Sequence, residues 1–295
     1  MADIPYHDRD GHIWMDGEFV EWRSAKVHLL THGLHYASAV FEGERAYDGV
    51  IFESRRHSER LHNSARILGF EIPFTVDQIE DAKREALARS GLDSAYVRAI
   101  AWRGSEMMGV SAQNNTIHLA VAVWHWGDYF EGKMKGIRMT HADWKRPSPE
   151  TAPCDSKAAG LYMICTLSKH AAEKAGYQDA LMLDWRGQVA EATGANIFFI
   201  RDGALHTPTP DCFLNGITRQ TAIALAKARQ LEVIERAIMP DELPTFSECF
   251  ITGTAAEITP VAEIGEHVYK PGAISEALVH DYDNLVRRKV PAPAA

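Results

Sequence analysis

A chain of 295 residues is long enough for two ordinary domains or one large α/β domain, and 46% hydrophobic with 24% charged residues matches soluble globular proteins, which excludes disorder and fibrous architecture. A formal net charge of -9 argues against a broad basic surface for nucleic acid or anionic lipid, so any anionic ligand must be held locally. No stretch approaches the roughly 18 apolar residues of a membrane helix. The opening MADIPYHDRDGHIW lacks a basic end followed by an apolar core, and the four cysteines are far apart without a CxxC pair. A cytoplasmic protein with reduced, buried thiols is expected.

In chain order, Asp16-Gly17 between HIWM and EFVEW, and Asp48-Gly49 between ERAY and VIF, predict two tight hairpins, because Asp-Gly supplies the positive φ angles such turns need. His28, His32 and His35 have a spacing that suggests metal ligands, but Thr31 and Gly33 interrupt the helix that would align them and no partner set follows, so no metal is expected. Residues 57–68, HSERLHNSARIL, place Leu61, Ala65 and Leu68 on one helical stripe that ends at Gly69. Thr75 with Gln78 is a capping-box signature for a second helix, running to about Ser90 and stopped by Gly91. AYVRAIAW (95–102) and TIHLAVAVW (116–124) read as strands, the second so apolar that it belongs at the centre of a sheet.

These elements predict a small α+β domain over residues 1–125, followed by a glycine-rich, charged interdomain loop at 126–136. The larger domain, 137–295, opens with a strand near 137–142 and has helices near 158–175 and 217–231. Its stretch ALMLD-WRGQ-VAEATGANIFFI-RDG-ALHTP reads as successive hairpins, which predicts a barrel-like mixed β core with flanking helices.

Four segments carry chemistry. In PCDSKAAGLY the single Lys157 is surrounded by side chains too small to fill space; a desolvated lysine there can become a nucleophile, while by itself an exposed loop lysine is the plainer reading. In VAEATGANIF, Glu191 lies in an apolar strand and needs a positive partner, either a protonated ring nitrogen of a cofactor or a salt bridge. In FLNGITRQTAIALAK, Gly216, Ile217 and Thr218 open a helix whose free N–H groups suit a phosphate, with Asn215 as a plain N-cap the alternative. In CFITGTAAEITPV a strand breaks at Gly253-Thr254-Ala255-Ala256, which either admits a ligand to the backbone amides or forms a simple bulge.

Taken with HYASAVFEGERAY, RRHSERLHNSARI, SAYVRAIAWRG and EMMGV, these segments resemble the fold-type IV pyridoxal-phosphate enzymes, and the branched-chain amino acid aminotransferases in particular, from about Ile13 to Val261. The resemblance implies pyridoxal 5'-phosphate as cofactor, with Lys157 as its Schiff-base and proton-transfer lysine, Glu191 at the pyridine nitrogen and Tyr162 at the phenolic oxygen. It also implies a cofactor-binding set of Arg60, Asn196, Leu214, Gly216, Ile217, Thr218 and Thr254. For the substrate it implies an apolar wall of Tyr36, Phe41, Tyr96, Met108, Val110 and Tyr129, a carboxylate site at Tyr96 and Arg98 with the amides of Ala255 and Ala256, and further contacts at Thr254 and Arg45.

The activity so implied is transamination of leucine, isoleucine and valine with 2-oxoglutarate by a homodimer or higher homo-oligomer. Alternatives within the fold are a D-amino acid or (R)-amine aminotransferase or an aminodeoxychorismate lyase; outside it, a non-catalytic pocket protein or a cofactor-free lysine aldolase. The chain departs from the family pattern at Ala159-Gly160-Leu161, where well-known members continue Gly-Gly-Asn, at Asn215, where proline is common, and at Ala195, where a polar residue often stands.

Overall fold

The computed structural model describes residues 4–127 and 132–293, which form two compact units. The first comprises residues 4–127 together with Ser156–Gly160; the second comprises 132–155 and 161–293. A cut at 125 and 137 assigns Ser156–Gly160 to the later domain. The structure groups it with the earlier one, because Ala158 bridges Val40 in antiparallel fashion and the Phe41 N–H donates to the Lys157 carbonyl at 3.2 Å.

The first unit contains β1 (His12–Met15), β2 (Glu18–Glu21), α1 (His32–Tyr36), β3 (Ala39–Tyr47), β4 (Val50–Ile51), α2 (Ser54–Ile67), α3 (Val76–Ser90), β5 (Ala95–Arg103) and β6 (Ile117–His125). Its strands form one antiparallel sheet in the order β2-β1-β6-β5-β3-β4, so the apolar β6 is interior as its pattern predicts. Both Asp-Gly turns have the positive φ pair of a tight hairpin, 52° and 102° at Asp16 and Gly17, 49° and 73° at Asp48 and Gly49. Helices α2 and α3 lay Leu61, Ala65, Ile79, Ala82 and Ala86 against Val40, Ala46, Val97, Ala99 and Ala101 of the sheet. Truncating the fully buried Leu61 to alanine would cost about 2–5 kcal/mol. Thr75 and Gln78 form the expected capping box on α3, and Gly91 ends it in the left-handed conformation.

The second unit contains β7 (Ile137–His141), α4 (Met163–Lys174), β8 (Asp179–Leu183), β9 (Val189–Ala192), β10 (Asn196–Arg201), β11 (Ala204–Thr207), α5 (Ile217–Ala228), β12 (Val233–Glu235), β13 (Glu248–Gly253), β14 (Glu257–Ile264), β15 (His267–Val268) and α6 (Ala273–Val286). Strands β10, β13, β14, β7, β8 and β9 form a closed six-stranded cycle, sealed by the pairing of β9 with β10; β14–β7 and β7–β8 are parallel and the other pairs antiparallel. A closed ring has no exposed edge strand. Its core gathers Ile137, Met139, Leu181, Ile197, Phe199, Ile251 and Val261. Helices α4, α5 and α6 pack on its strands.

The expected architecture, α+β with a barrel-like mixed core, is thus present, with two local differences. The helix expected from 158 starts as a 3-10 turn, Ala159–Tyr162, and becomes α-helical at Met163. Residues 249–261 do not form one interrupted strand: β14 turns back on β13, with Gly253 opposite Glu257, so the break at 254–256 is a hairpin loop. No described helix is long and apolar enough to cross a membrane.

Candidate active site

In the first unit, β3 and β5 pair Phe41 with Ile100, Gly43 with Arg98 and Arg45 with Tyr96, and alternation puts these residues on one face of the sheet. Lys157 is fixed at both peptide ends: its N–H donates to the Ser64 hydroxyl at 3.0 Å and its carbonyl accepts from the Phe41 N–H. Its amine lies 5.1 Å from the Phe41 ring centroid, and the Arg98 guanidinium lies 4.7 Å from that centroid. Arg98 Nη2 donates to the Tyr96 hydroxyl at 3.3 Å, while its buried Nε has no hydrogen-bond partner among the described residues. A buried guanidinium N–H without an acceptor costs free energy unless an anion meets it, and a carboxylate is the natural complement. Arg45 is buried with its guanidinium 4.8 Å from the Tyr47 ring.

The opposite face of β3 carries charges of another kind. Glu42 is fully buried; Arg60 donates to it through Nε and Nη2, both at 2.7 Å, and His57 Nδ1 lies 2.7 Å away. Burial alone would raise the Glu42 carboxyl, but the charge and hydrogen bonds of Arg60, aided by His57, hold it well below the usual carboxylate range. Arg60 is therefore oriented by a carboxylate, a link that sequence reading missed because nothing in RRHSERL points to Glu42.

Tyr36 stacks on His32 at 4.6 Å and donates to the Met108 carbonyl at 3.3 Å; Tyr36 is 46% exposed and Val110 is 85% exposed. The three histidines suggested by spacing do not converge. His32 bonds Ser38 and the Gly109 carbonyl, His35 the Leu29 carbonyl, and His28 accepts from the Leu30 N–H. Tyr129 lies outside the described residues.

In the second unit, Glu191 on β9 faces Arg146, Nε to Oε1 3.4 Å. Asn196, its cross-strand partner on β10, donates through Nδ2 to Glu191 at 3.2 Å and to the Leu214 carbonyl at 3.0 Å, while its Oδ1 accepts from the Gly216 N–H at 3.2 Å. One amide thus couples the carboxylate to the start of α5. A Cβ on Gly216 would collide with Asn196 Oδ1. Gly216, not Asn215, is the N-cap and offers no side-chain cap; Asn215 Oδ1 instead accepts from Arg219. The first-turn N–H groups of α5 and the buried Thr218 beside them suit a phosphate. Thr254 and Ala255 lie half-buried in the β13–β14 loop, with Ala256 buried after them. Tyr162 is the N-cap of α4.

Arg146 was missed, and the run KRP around it carries no signal that separates it from a solvated loop cation. It is 4% exposed, and Nη1 donates to the Leu161 carbonyl and Cys165 Sγ, each at 3.4 Å. Burial is the largest single influence and works against its charge, but Glu191 together with Cys165, Tyr162 and Cys154 more than offsets it and raises the guanidinium above its ordinary value; burial first, then Glu191, pushes the Cys165 thiol up to about 11. Asp184, Asp211 and Cys212 also cluster, but Arg186 ion-pairs with both aspartates at 2.7 Å, and burial raises Cys212 far above the usual thiol range.

A closed mixed barrel with an uncapped helix start and a paired carboxylate, joined in one chain to a lysine fixed near an arginine, defines an enzyme for phosphorylated-cofactor chemistry on carboxylate substrates. Residues 39–264 match the Amino-transferase class IV family, and the chain belongs to it. It is 41% identical over 296 residues to the branched-chain-amino-acid aminotransferase of Pseudomonas aeruginosa, covering 97% of this chain and 96% of that one. The branched-chain aminotransferase of Thermoproteus uzoniensis with norvaline superposes with a TM-score of 0.92 at 34% identity, covering 95% and 96% of the two chains. The branched-chain amino acid aminotransferase of Thermobaculum terrenum in its PLP-bound holo form does so with a TM-score of 0.88 at 30% identity, covering 95% of each.

Proposed function

We propose that the protein transaminates leucine, isoleucine and valine with 2-oxoglutarate, giving branched-chain 2-oxo acids and L-glutamate, with pyridoxal 5'-phosphate as cofactor. The observation that carries this reading is the Phe41 ring with the Lys157 amine and the Arg98 guanidinium both against it, which sets a nucleophilic amine near a cation suited to a carboxylate. The first turn of α5 from Ile217, with Gly216, Thr218, Thr254 and Arg60, would hold the phosphate; Glu191, with Asn196 and the Leu214 carbonyl, would hold the ring nitrogen, and Tyr162 the phenolic oxygen. When bound, the cofactor supplies an electron sink for the charge left on the substrate. Lys157 would hold it through its amine and, once displaced from that bond by the substrate's amino group, would be free to take the proton from the substrate Cα. Arg146 keeps Glu191 paired, and Asn196 keeps it in register. By the family resemblance, Tyr96 and Arg98, and the amides of Ala255 and Ala256, would serve carboxylate binding, while Tyr36, Phe41, Met108, Val110 and Arg45 would serve the substrate side chain, as would Tyr129, which lies outside the described residues.

The cation at Arg98 and the family relatives favour amino acids over plain amines. Purified holoprotein given L-leucine, L-isoleucine or L-valine with 2-oxoglutarate is expected to form glutamate; reaction with D-amino acids or (R)-amines alone would replace this reading. A cytoplasmic homo-oligomer completes it. Leu29, Leu30, Leu34, Tyr36, Met107 and Val110 leave large apolar side chains open to solvent, and His32, His35 and Tyr36 tie their backbones together, which supports burial against a second copy. Sedimentation of the holoprotein measures this directly.

A further inference from the structure

Among His28, His32 and His35, only His32 is buried, at 3% exposed. Its Nε2 lies 3.0 Å from the Gly109 carbonyl and its Nδ1 3.0 Å from the Ser38 hydroxyl. A carbonyl can only accept, so Nε2 donates, and the neutral ring then accepts the Ser38 hydroxyl hydrogen at Nδ1. The His32 backbone N–H donates to the Gly104 carbonyl at 2.8 Å. One residue of α1 therefore reaches both the base and the tip of the loop, residues 104–116, that joins β5 to β6.

The base of that loop is tied to its own neighbours: the Gly104 N–H donates to the Thr116 carbonyl at 2.8 Å, and Asn115 Nδ2 donates to the Gly104 and Met107 carbonyls at 2.9 and 3.1 Å. The tip is tied to α1, Gly109 by His32 and Met108 by the Tyr36 hydroxyl at 3.3 Å. Gly109 and Val110 are exposed, so packing gives the tip little support and these bonds set its place. The two are coupled, because the His32 and Tyr36 rings stack at 4.6 Å. His32 is the buried donor of the pair, and a hydrogen bond shielded from water holds better than one at the surface.

We propose that His32 is a positioning residue for substrate choice: its imidazole fastens the loop tip that carries Met108 and Val110 to the helix that carries Tyr36, so that the three side chains meet a substrate side chain as one rigid wall. The inference rests on the transaminase reading given above. A wall that holds its place favours side chains long enough to touch it; one that wanders loses that preference and leaves short substrates unaffected.

The test compares L-leucine with the shorter L-2-aminobutyrate as donors to 2-oxoglutarate, using holoenzyme carrying His32→Phe, His32→Gln or His32→Asn. His32→Phe keeps a flat ring for Tyr36 but neither hydrogen bond; its kcat/KM for leucine should fall about fivefold relative to L-2-aminobutyrate, the effect of one lost hydrogen bond, through KM with kcat little changed. Hydrogen exchange at residues 105–113 should quicken. His32→Gln sets an amide donor near the place of Nε2 and should retain the preference for leucine, whereas His32→Asn reaches toward Ser38 alone and should lose it. An unchanged donor ratio in folded His32→Phe overturns the inference, as does an equal loss with both donors, which reports only less active protein. Should His32→Phe not fold, equal ratios in His32→Gln and His32→Asn overturn it. Wild-type holoenzyme inactive with both donors would overturn the transaminase reading itself, whereas active wild type beside an unmoved ratio removes only the role of His32.

Discussion

The two faces of β3 treat charge in opposite ways. Toward the helices, Glu42 is held by Arg60 and His57, and Glu44 lies 2.7 Å from the equally buried Lys83. On the other face, Arg98 of the neighbouring strand meets no carboxylate among the described residues: it donates to the Tyr96 hydroxyl, lies over the Phe41 ring and leaves Nε unmet. A buried charge whose partners are already in place serves architecture, and one whose partner is missing marks where a ligand belongs. One sheet carries both because alternate side chains of β3, and of its neighbour β5, point to opposite sides.

Substitutions on the two faces should therefore separate stability from activity. The largest effect is expected at Lys157→Ala, which should abolish transamination by several orders of magnitude and remove the visible absorbance of the bound cofactor, while leaving the denaturation midpoint of the apoprotein nearly unchanged. Glu42→Gln on the helix face should lower unfolding free energy by about 2–4 kcal/mol in urea titration, because it leaves the half-buried Arg60 and the buried His57 beside an uncharged amide. Arg98→Met on the open face should raise KM about 10- to 100-fold, as a hydrogen bond to a charged group contributes about 1.5–3 kcal/mol, and should shift stability by less than about 1 kcal/mol. A stability loss at Arg98 as large as that at Glu42 would erase the distinction.

The smallest effect is one of pH. The folded-state carboxyl of Glu42 is held below its ordinary value of 4.5, so the stability it contributes is complete above that value and is lost as pH falls toward the folded one. Urea titrations from neutral pH downward should show wild-type stability declining with a steeper acid slope than Glu42→Gln. Equal slopes would mean that the Glu42 carboxyl titrates no lower in the folded protein than in the unfolded one.

Local chemistry was legible where the cause is local. Asp16-Gly17, Asp48-Gly49, the Thr75 capping box and Gly91 behave as written, because a turn or a cap is decided by residues within a few positions. The mixed barrel could be anticipated from its successive hairpins, but the fold-back at 254–256 could not, since periodicity does not say whether a strand resumes or reverses. The site residues came from resemblance more than from pattern. Arg146, Ser64 and Glu42 escaped because each acts through a partner 45, 93 or 18 positions away, and burial of a charged side chain depends on packing that no short segment encodes.

The barrel is sealed between β9 and β10 by a single residue pair, Asn196 with Glu191. The fastening of the ring and the proposed seat of the cofactor's nitrogen are therefore one object. A lineage drifting toward new substrates can remodel its pocket walls freely, but a change at either side chain of that clasp would loosen the scaffold and the chemistry together, and selection would act on both at once.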